Sequence, residues 1–171
     1  MSNLNLLVTT LQKSTDKKSA RSYGSKVNFN EGIIFATDGF FLTYAASPFP
    51  GRGTVDAGGP VENTIPPAIT GVLNTCKNDP ILFEIDPHRV TALCAGVKIG
   101  ADLLICIVSE GKMFLCDRKD MGNFEGYYFP ANCVTKAIHY QAAKAFVTAS
   151  GLGFSNEIFG SFIMSMAKEK A

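Results

Sequence analysis

The sequence predicts an α+β protein dominated by antiparallel strands, and three observations carry that reading. Runs of alternating, β-branched or aromatic residues recur along the chain, glycine, asparagine and aspartate turn signals separate them, and stretches with helical spacing interrupt them. A chain of 171 residues that is 46% hydrophobic and 18% charged can bury a sizeable core, which excludes a disordered polymer. That length fits one domain of ordinary size, or one domain and part of another.

Residues 3–13, NLNLLVTTLQK, place Leu4, Leu7, Val8 and Leu11 on one helical stripe and predict a short amphipathic helix. The stretch from Ser14 to Lys26 is polar and basic. Residues 27–46, VNFNEGIIFATDGFFLTYAA, read as strands joined by turns at Asn30-Glu31-Gly32 and Asp38-Gly39, an antiparallel meander. The glycine- and proline-rich residues 47–63 predict a loop. Residues 64–76, TIPPAITGVLNTC, predict a strand end running into a short helix, with proline tolerated in its first turn.

Four strands are expected next, at Ile81–Ile85, Val90–Ala95, Leu103–Val108 and Lys112–Cys116, followed by a polar loop over 117–126. Residues 127–130, YYFP, end another strand, and 131–145, ANCVTKAIHYQAAKA, predict a helix on which Lys136, Tyr140 and Lys144 share a stripe. Strands over 146–149 and 158–166 and a solvated tail close the chain, with a helix the alternative for the stretch 158–166. The block TIPPAITGVLNTC–PILFEI has the same strand-end, proline, helix, strand shape as YYFPANCVTKAIHYQAAKA–FVTA, which suggests a structural repeat.

The formal net charge of +1 excludes a protein that coats nucleic acid over most of its surface, so any such contact must be local. Residues 1–30 hold Lys13, Lys17, Lys18, Arg21 and Lys26 against the single acid Asp16. The five cysteines are widely spaced with no CxxC pair, which reads as reduced, buried thiols in a reducing cytoplasm. No apolar run approaches the roughly 20 residues that cross a membrane. His88 and His139 stand apart from any ligand cluster, and Asp38 before Gly39 fits a turn better than a catalytic carboxylate. No nucleotide loop, metal motif or catalytic constellation is present. The expectation is a binding protein, not an enzyme, with no cofactor.

Residues 35–42, FATDGFFL, resemble the ATDG-x-x-L segment of bacterial DNA polymerase sliding clamps. The order around it, Ala20-Arg21-Ser22-Tyr23, then Val27-Asn28-Phe29 and the turn, is similar to the family's helix, arginine, strand, turn. ENTIPPAITGVLNTCKNDPILFEI and the closing FGSFIMSMAKEKA resemble further clamp segments. The resemblance covers most of the chain as a pattern and about eight residues as a motif. It implies antiparallel sheets with helices on one face, a clamp-like unit over 1–126, and an additional half-domain over 127–171 packed on it or on a neighbouring subunit.

The same resemblance implies a processivity or tethering factor that holds double-stranded DNA without base readout and recruits peptides of polymerases or other replication proteins. Lys13, Lys17, Lys18, Arg21, Lys136 and Lys144 would meet phosphates. Thr37, Gly39, Leu42 and Pro66 would line the partner-peptide pocket. Two departures stand out. Phe40 and Phe41 occupy positions that are commonly polar or basic in the family, and the chain offers about three helices, so a ring would need several copies. The short chain and divergent motif suggest a phage or mobile-element source. A structural or virion shell protein that forms homo-oligomers without DNA is the competing expectation.

Overall fold

The computed structural model describes residues 3–98, 101–108 and 111–166. The turn signals at Gly100 and Glu110 and the tail from 167 onward lie outside the described residues. Helix α1 spans Asn3–Gln12 and the short α2 Ser22–Ser25. Strands β1 (Val27–Asn30), β2 (Ile33–Thr37) and β3 (Phe41–Ala46) form the expected meander. Strands β4 (Arg52–Asp56) and β5 (Gly59–Glu62) follow, then α3 (Pro67–Asn78), β6 (Ile81–Ile85) and α4 (Pro87–Ala95). The remainder is β7 (Leu103–Val108), β8 (Met113–Asp117), a 3-10 turn at Arg118–Asp120, β9 (Gly126–Pro130) and α5 (Ala131–Ala137). Strands β10 (Lys144–Thr148), β11 (Gly151–Ser155) and β12 (Phe159–Met164) close the described chain.

All strand pairs are antiparallel and they form two sheets. One has nine strands in the order β5-β4-β1-β2-β3-β12-β11-β10-β6, and the other has three, β8-β7-β9. Strands of residues 127–164 enter both sheets: β9 pairs with β7, and β12 pairs with β3. The large sheet is laid out symmetrically about the β3–β12 seam. On each side a meander runs toward the seam (β1 to β3, β10 to β12), a helix precedes it (α1, α5), and an antiparallel strand flanks its outer edge (β4 on β1, β6 on β10).

The alternation of side chains along the strands separates the two faces of the large sheet. Ile34, Ala36 and Phe41 turn into the main core, where Leu11 of α1, Val90 and Cys94 of α4, and Val134 and Ala137 of α5 meet them. Ile105, Ile107 and Phe129 of the small sheet join the same core. Ile33, Phe35 and Leu42 turn the other way, under Leu73 and Cys76 of α3. Thus α1, α4 and α5 share one face, and α3 covers part of the other. Each fully buried large aliphatic or aromatic side chain contributes about 1.5–3 kcal/mol.

Several expectations are corrected. Residues 47–63 are not a loop throughout, because Arg52–Asp56 and Gly59–Glu62 pair as a hairpin. Gly53 permits it: a Cβ there would lie 2.0 Å from the Val61 carbonyl oxygen. Val90–Ala95 is helical, not a strand. Asp86 caps that helix by accepting a hydrogen bond from the His88 N–H at 2.8 Å, and Pro87 occupies the first turn. The helix expected over 131–145 ends at Ala137. Just past the end of α5, His139 Nδ1 sits 2.8 Å from the Lys136 carbonyl oxygen and Nε2 3.1 Å from that of Thr10, and a neutral ring donates to one of the two. The Tyr140 hydroxyl donates to the Phe154 carbonyl at 2.9 Å, and Lys144 already belongs to β10. The unassigned residues 151–155 form β11.

The expected repeat is joined by a further unit of the same order. The expected block keeps its strand–proline–helix–strand order as β5-α3-β6, and β6-α4-β7 is a second unit of the same order that packs with β9-α5-β10. These two units exchange strands: β6 pairs with β10 and β9 pairs with β7, while α4 packs on α5.

Candidate nucleic-acid interface and peptide pocket

The basic segment after α1 is a tight turn built by its own polar groups. Asp16 Oδ1 accepts from the Lys18 N–H at 3.0 Å, Asp16 N–H donates to the Gly24 carbonyl at 2.8 Å, and the Arg21 N–H donates to Ser19 Oγ at 3.2 Å. This spends the local backbone donors and leaves Lys13, Lys17, Lys18 and Arg21 exposed. Arg21 Nη1 donates to the Tyr23 hydroxyl at 2.9 Å. Lys136 is exposed on α5, whereas Lys144 is exposed on β10, opposite Ser155. The stripe expected to unite Lys136, Tyr140 and Lys144 is therefore broken by the end of α5.

The β2–β3 turn closes on itself. The Thr37 hydroxyl donates to the Phe41 carbonyl at 2.7 Å and accepts from the Gly39 N–H at 3.0 Å. Asp38 Oδ1 accepts from the N–H groups of Phe40 and Phe41, which is the turn role expected of it. Gly39 adopts φ +94°, a left-handed conformation that glycine reaches without a Cβ penalty. Phe40, at the tip, is 70% exposed, while Phe41 is core.

A cleft of about 490 Å³ joins this turn to the ends of α1 and α5. Lys13, Asp16, Asp38, Phe40, Asp102, Arg118, Asn132, Cys133 and Lys136 line it. It brings together Lys13 and Lys136, two of the expected cations, but its charge is balanced. Lys136 Nζ lies 3.9 Å from Asp38 Oδ2, and Arg118 Nε reaches both Asp102 carboxylate oxygens, at 3.1 and 3.0 Å. Cys133 borders the cleft, and burial first, then the Asp38 carboxylate, push its thiol up while Lys136 opposes them. Sequence reasoning missed the carboxylate partners, since Asp38, on the β2–β3 turn, and Asp102, just before β7, are remote in the chain from Lys136 and Arg118.

The four expected pocket residues are split by the sheet. Thr37 is buried and bonded within the turn, and Gly39 lies at the turn. Leu42 points to the opposite face, 2% exposed, beneath Ile65, Leu73 and Cys76. Pro66 caps the start of α3 above it, half-buried. All five cysteines are buried. Among the described residues no helix is long and apolar enough to cross a membrane, and no cluster of histidine, cysteine and carboxylate is arranged to hold a metal.

No protein-family model matches the chain, and no curated protein matches it. Solved structures do. A DNA polymerase sliding clamp from Pseudomonas aeruginosa aligns over 98% of this chain and 65% of its own, with a TM-score of 0.64 and 11% identity. The beta clamp of Helicobacter pylori bound to a DNA ligase peptide aligns over 98% and 65%, with a TM-score of 0.52 and 12% identity. DNA polymerase III subunit beta of Borrelia burgdorferi aligns over 95% and 60%, with a TM-score of 0.56 and 12% identity. The chain spans less than two thirds of the length of each of these proteins. At this identity the likeness concerns the fold alone: antiparallel sheets and packed helices in a sliding-clamp architecture.

Proposed function

We propose that this chain is a sliding-clamp-like processivity or tethering factor, a non-catalytic protein that holds double-stranded DNA without reading its sequence and recruits peptides from replication proteins as a homo-oligomer. The observation that carries the reading is the clamp-like arrangement of antiparallel sheets over nearly the whole chain, with exposed cations on the turn after α1 and on α5. Lys13, Lys17, Lys18 and Arg21 on the turn after α1 supply the main contact, Lys136 adds to it from α5, and Lys144 contributes from β10. A sequence-blind holder needs phosphate contacts and no base-edge donors. For the peptide pocket, Thr37, Gly39, Leu42 and Pro66 remain the proposed residues. A peptide reaches Leu42 only when α3 gives way.

The test is association with plasmid DNA measured across a salt series. Binding should be indifferent to sequence and weaken with salt, with log K falling by about 0.9 per phosphate contact for each unit of log salt. Reversing Lys13, Lys17 and Lys18 to glutamate should flatten that slope. No association at low salt, or a triple variant that binds like the parent, overturns the proposal.

A further inference from the structure

The β2–β3 turn does not use the Phe40 ring to fold. Asp38 Oδ1 and the Thr37 hydroxyl close the turn by accepting from backbone N–H groups, and the ring at the tip stays 70% exposed. The β11–β12 turn is built in the same way, with Asn156 Oδ1 accepting from the Ile158 and Phe159 N–H groups at 2.8 and 2.7 Å. Phe41 and Phe159, the next residue in each turn, both enter the main core. The tip of the second turn is Ile158, so this design needs no aromatic ring there.

Phe40 instead lines the cleft that joins this turn to the ends of α1 and α5, where the walls are mostly polar and carry both signs. Asp38 Oδ2 stands 3.9 Å from Lys136 Nζ, beyond hydrogen-bond length, so that oxygen keeps its capacity to accept. Asn132 Oδ1 accepts from the Cys133 N–H at 2.9 Å, which leaves its amide nitrogen to donate. An apolar peptide side chain in this cleft would leave such groups unpaired, which is costly. A phosphate alone meets balanced charge and makes no use of the ring. A nucleobase fits both features, since it has a flat π-face and an edge of donors and acceptors. The cleft volume of about 490 Å³ lies within the range of small-ligand sites. We propose that Phe40 is a stacking platform for an unpaired base of a DNA strand, with Asp38 Oδ2 and Asn132 facing the base edge. Lys13 belongs both to this cleft and to the basic turn, so a strand whose phosphates lie on that turn leads into the cleft. Bases inside a duplex are stacked on one another, so the site selects single strands or opened ends. The inference rests on the proposed DNA-holding function and adds a second form of DNA to it.

The test compares a labelled single-stranded oligothymidylate with an abasic strand of the same length and charge, by fluorescence anisotropy with the full chain at low salt. Oligothymidylate should bind about tenfold more tightly than the abasic strand, the effect of one stacked base. Phe40→Ala and Phe40→Leu should each remove that difference, and Phe40→Tyr should keep it. Ile158→Ala, at the 63% exposed tip of the like turn, should leave it unchanged. Both side chains are exposed, so circular dichroism should match the parent in every variant. Equal affinity of the parent for the two strands overturns the proposal. So does a Phe40→Leu variant that keeps the difference, since leucine retains apolar contact and loses the stack. Plasmid association is read in parallel. A parent that binds oligothymidylate through Phe40 and fails to bind plasmid overturns the duplex-holding function and leaves the stacking site standing, whereas plasmid binding with no preference for bases overturns the stacking site alone.

Discussion

Replacing Thr43 with valine tests how the two halves of the large sheet are joined. Thr43 and Ser161 face each other across the β3–β12 seam, 2.9 Å apart, and neither is more than 1% exposed. Ser14, beyond the end of α1, donates to Thr43 Oγ1 at 2.8 Å, and Ser161 donates to the Ala137 carbonyl of α5 at 3.0 Å. Each hydroxyl has one proton, so the direction is fixed: Ser14 to Thr43, Thr43 to Ser161, Ser161 to Ala137. Valine keeps the shape of threonine but removes an acceptor and a donor. The buried Ser14 hydroxyl then loses its acceptor, which costs about 1–3 kcal/mol. For a chain of this size that lowers the melting temperature by about 2–4 °C per kcal/mol. Urea unfolding at fixed m reads the loss directly. The triple variant Ser14→Ala, Thr43→Val, Ser161→Ala leaves no orphaned hydroxyl, so it should lose less than the sum of the three single changes. A Thr43→Val variant within about 0.5 kcal/mol of the parent, or three losses that simply add, refutes the relay.

Two further outcomes follow from ionisable groups. Asp79, at the end of α3, accepts hydrogen bonds from Thr148 and Ser150, including the Ser150 N–H at 3.1 Å, and these hold its carboxyl below the ordinary 3.8. The depressed group stabilises the fold above 3.8, and that contribution is lost as pH falls through and below it. Acid titration of unfolding free energy should therefore show a shallower decline in Asp79→Asn than in the parent, and parallel curves would contradict the assignment. Burial pushes the Cys76 thiol from 9.0 to about 12. Its thiolate fraction at mildly alkaline pH is thus about a thousandfold below that of an ordinary thiol, so mass spectrometry should find it unalkylated by iodoacetamide in native protein and alkylated after denaturation.

What the sequence made legible was what local chemistry decides. The Leu4, Leu7, Leu11 stripe is a helix because those side chains share one face, and the Asp38-Gly39 turn closes through its own aspartate and a positive φ. The illegible parts depend on partners distant in the chain. Gly53 and Gly153 look like breakers, yet each sits in a strand because a neighbour fills the space of the absent Cβ, the Val61 carbonyl in one case and the Phe146 ring in the other. The apolar run Val90–Ala95 satisfies either period, and the Asp86 cap decides for helix. Past the end of α5, His139 lies against the Thr10 carbonyl, a contact no window around residue 139 contains. The same limit applied to the site. The cations were legible as residue types, but their carboxylate partners in the cleft were not.

Those partners change how a chain of this kind could hold DNA. With Lys136 facing Asp38 and Arg118 held by Asp102, the cleft offers phosphate little net attraction. Of the cations expected to meet phosphate, four stand on the turn between residues 13 and 21 against the single acid Asp16. At physiological salt the Debye length is about 8 Å, so that cluster acts only on phosphates passing close to it. One cluster per chain makes few contacts, and few contacts mean weak binding. A second copy adds a second cluster without strengthening the first, and two weak contacts linked in one assembly hold DNA longer than either alone. Retention by geometry rather than by a tight local patch is what a net charge of +1 permits, and under the proposed function DNA holding would then depend on the assembly of more than one chain.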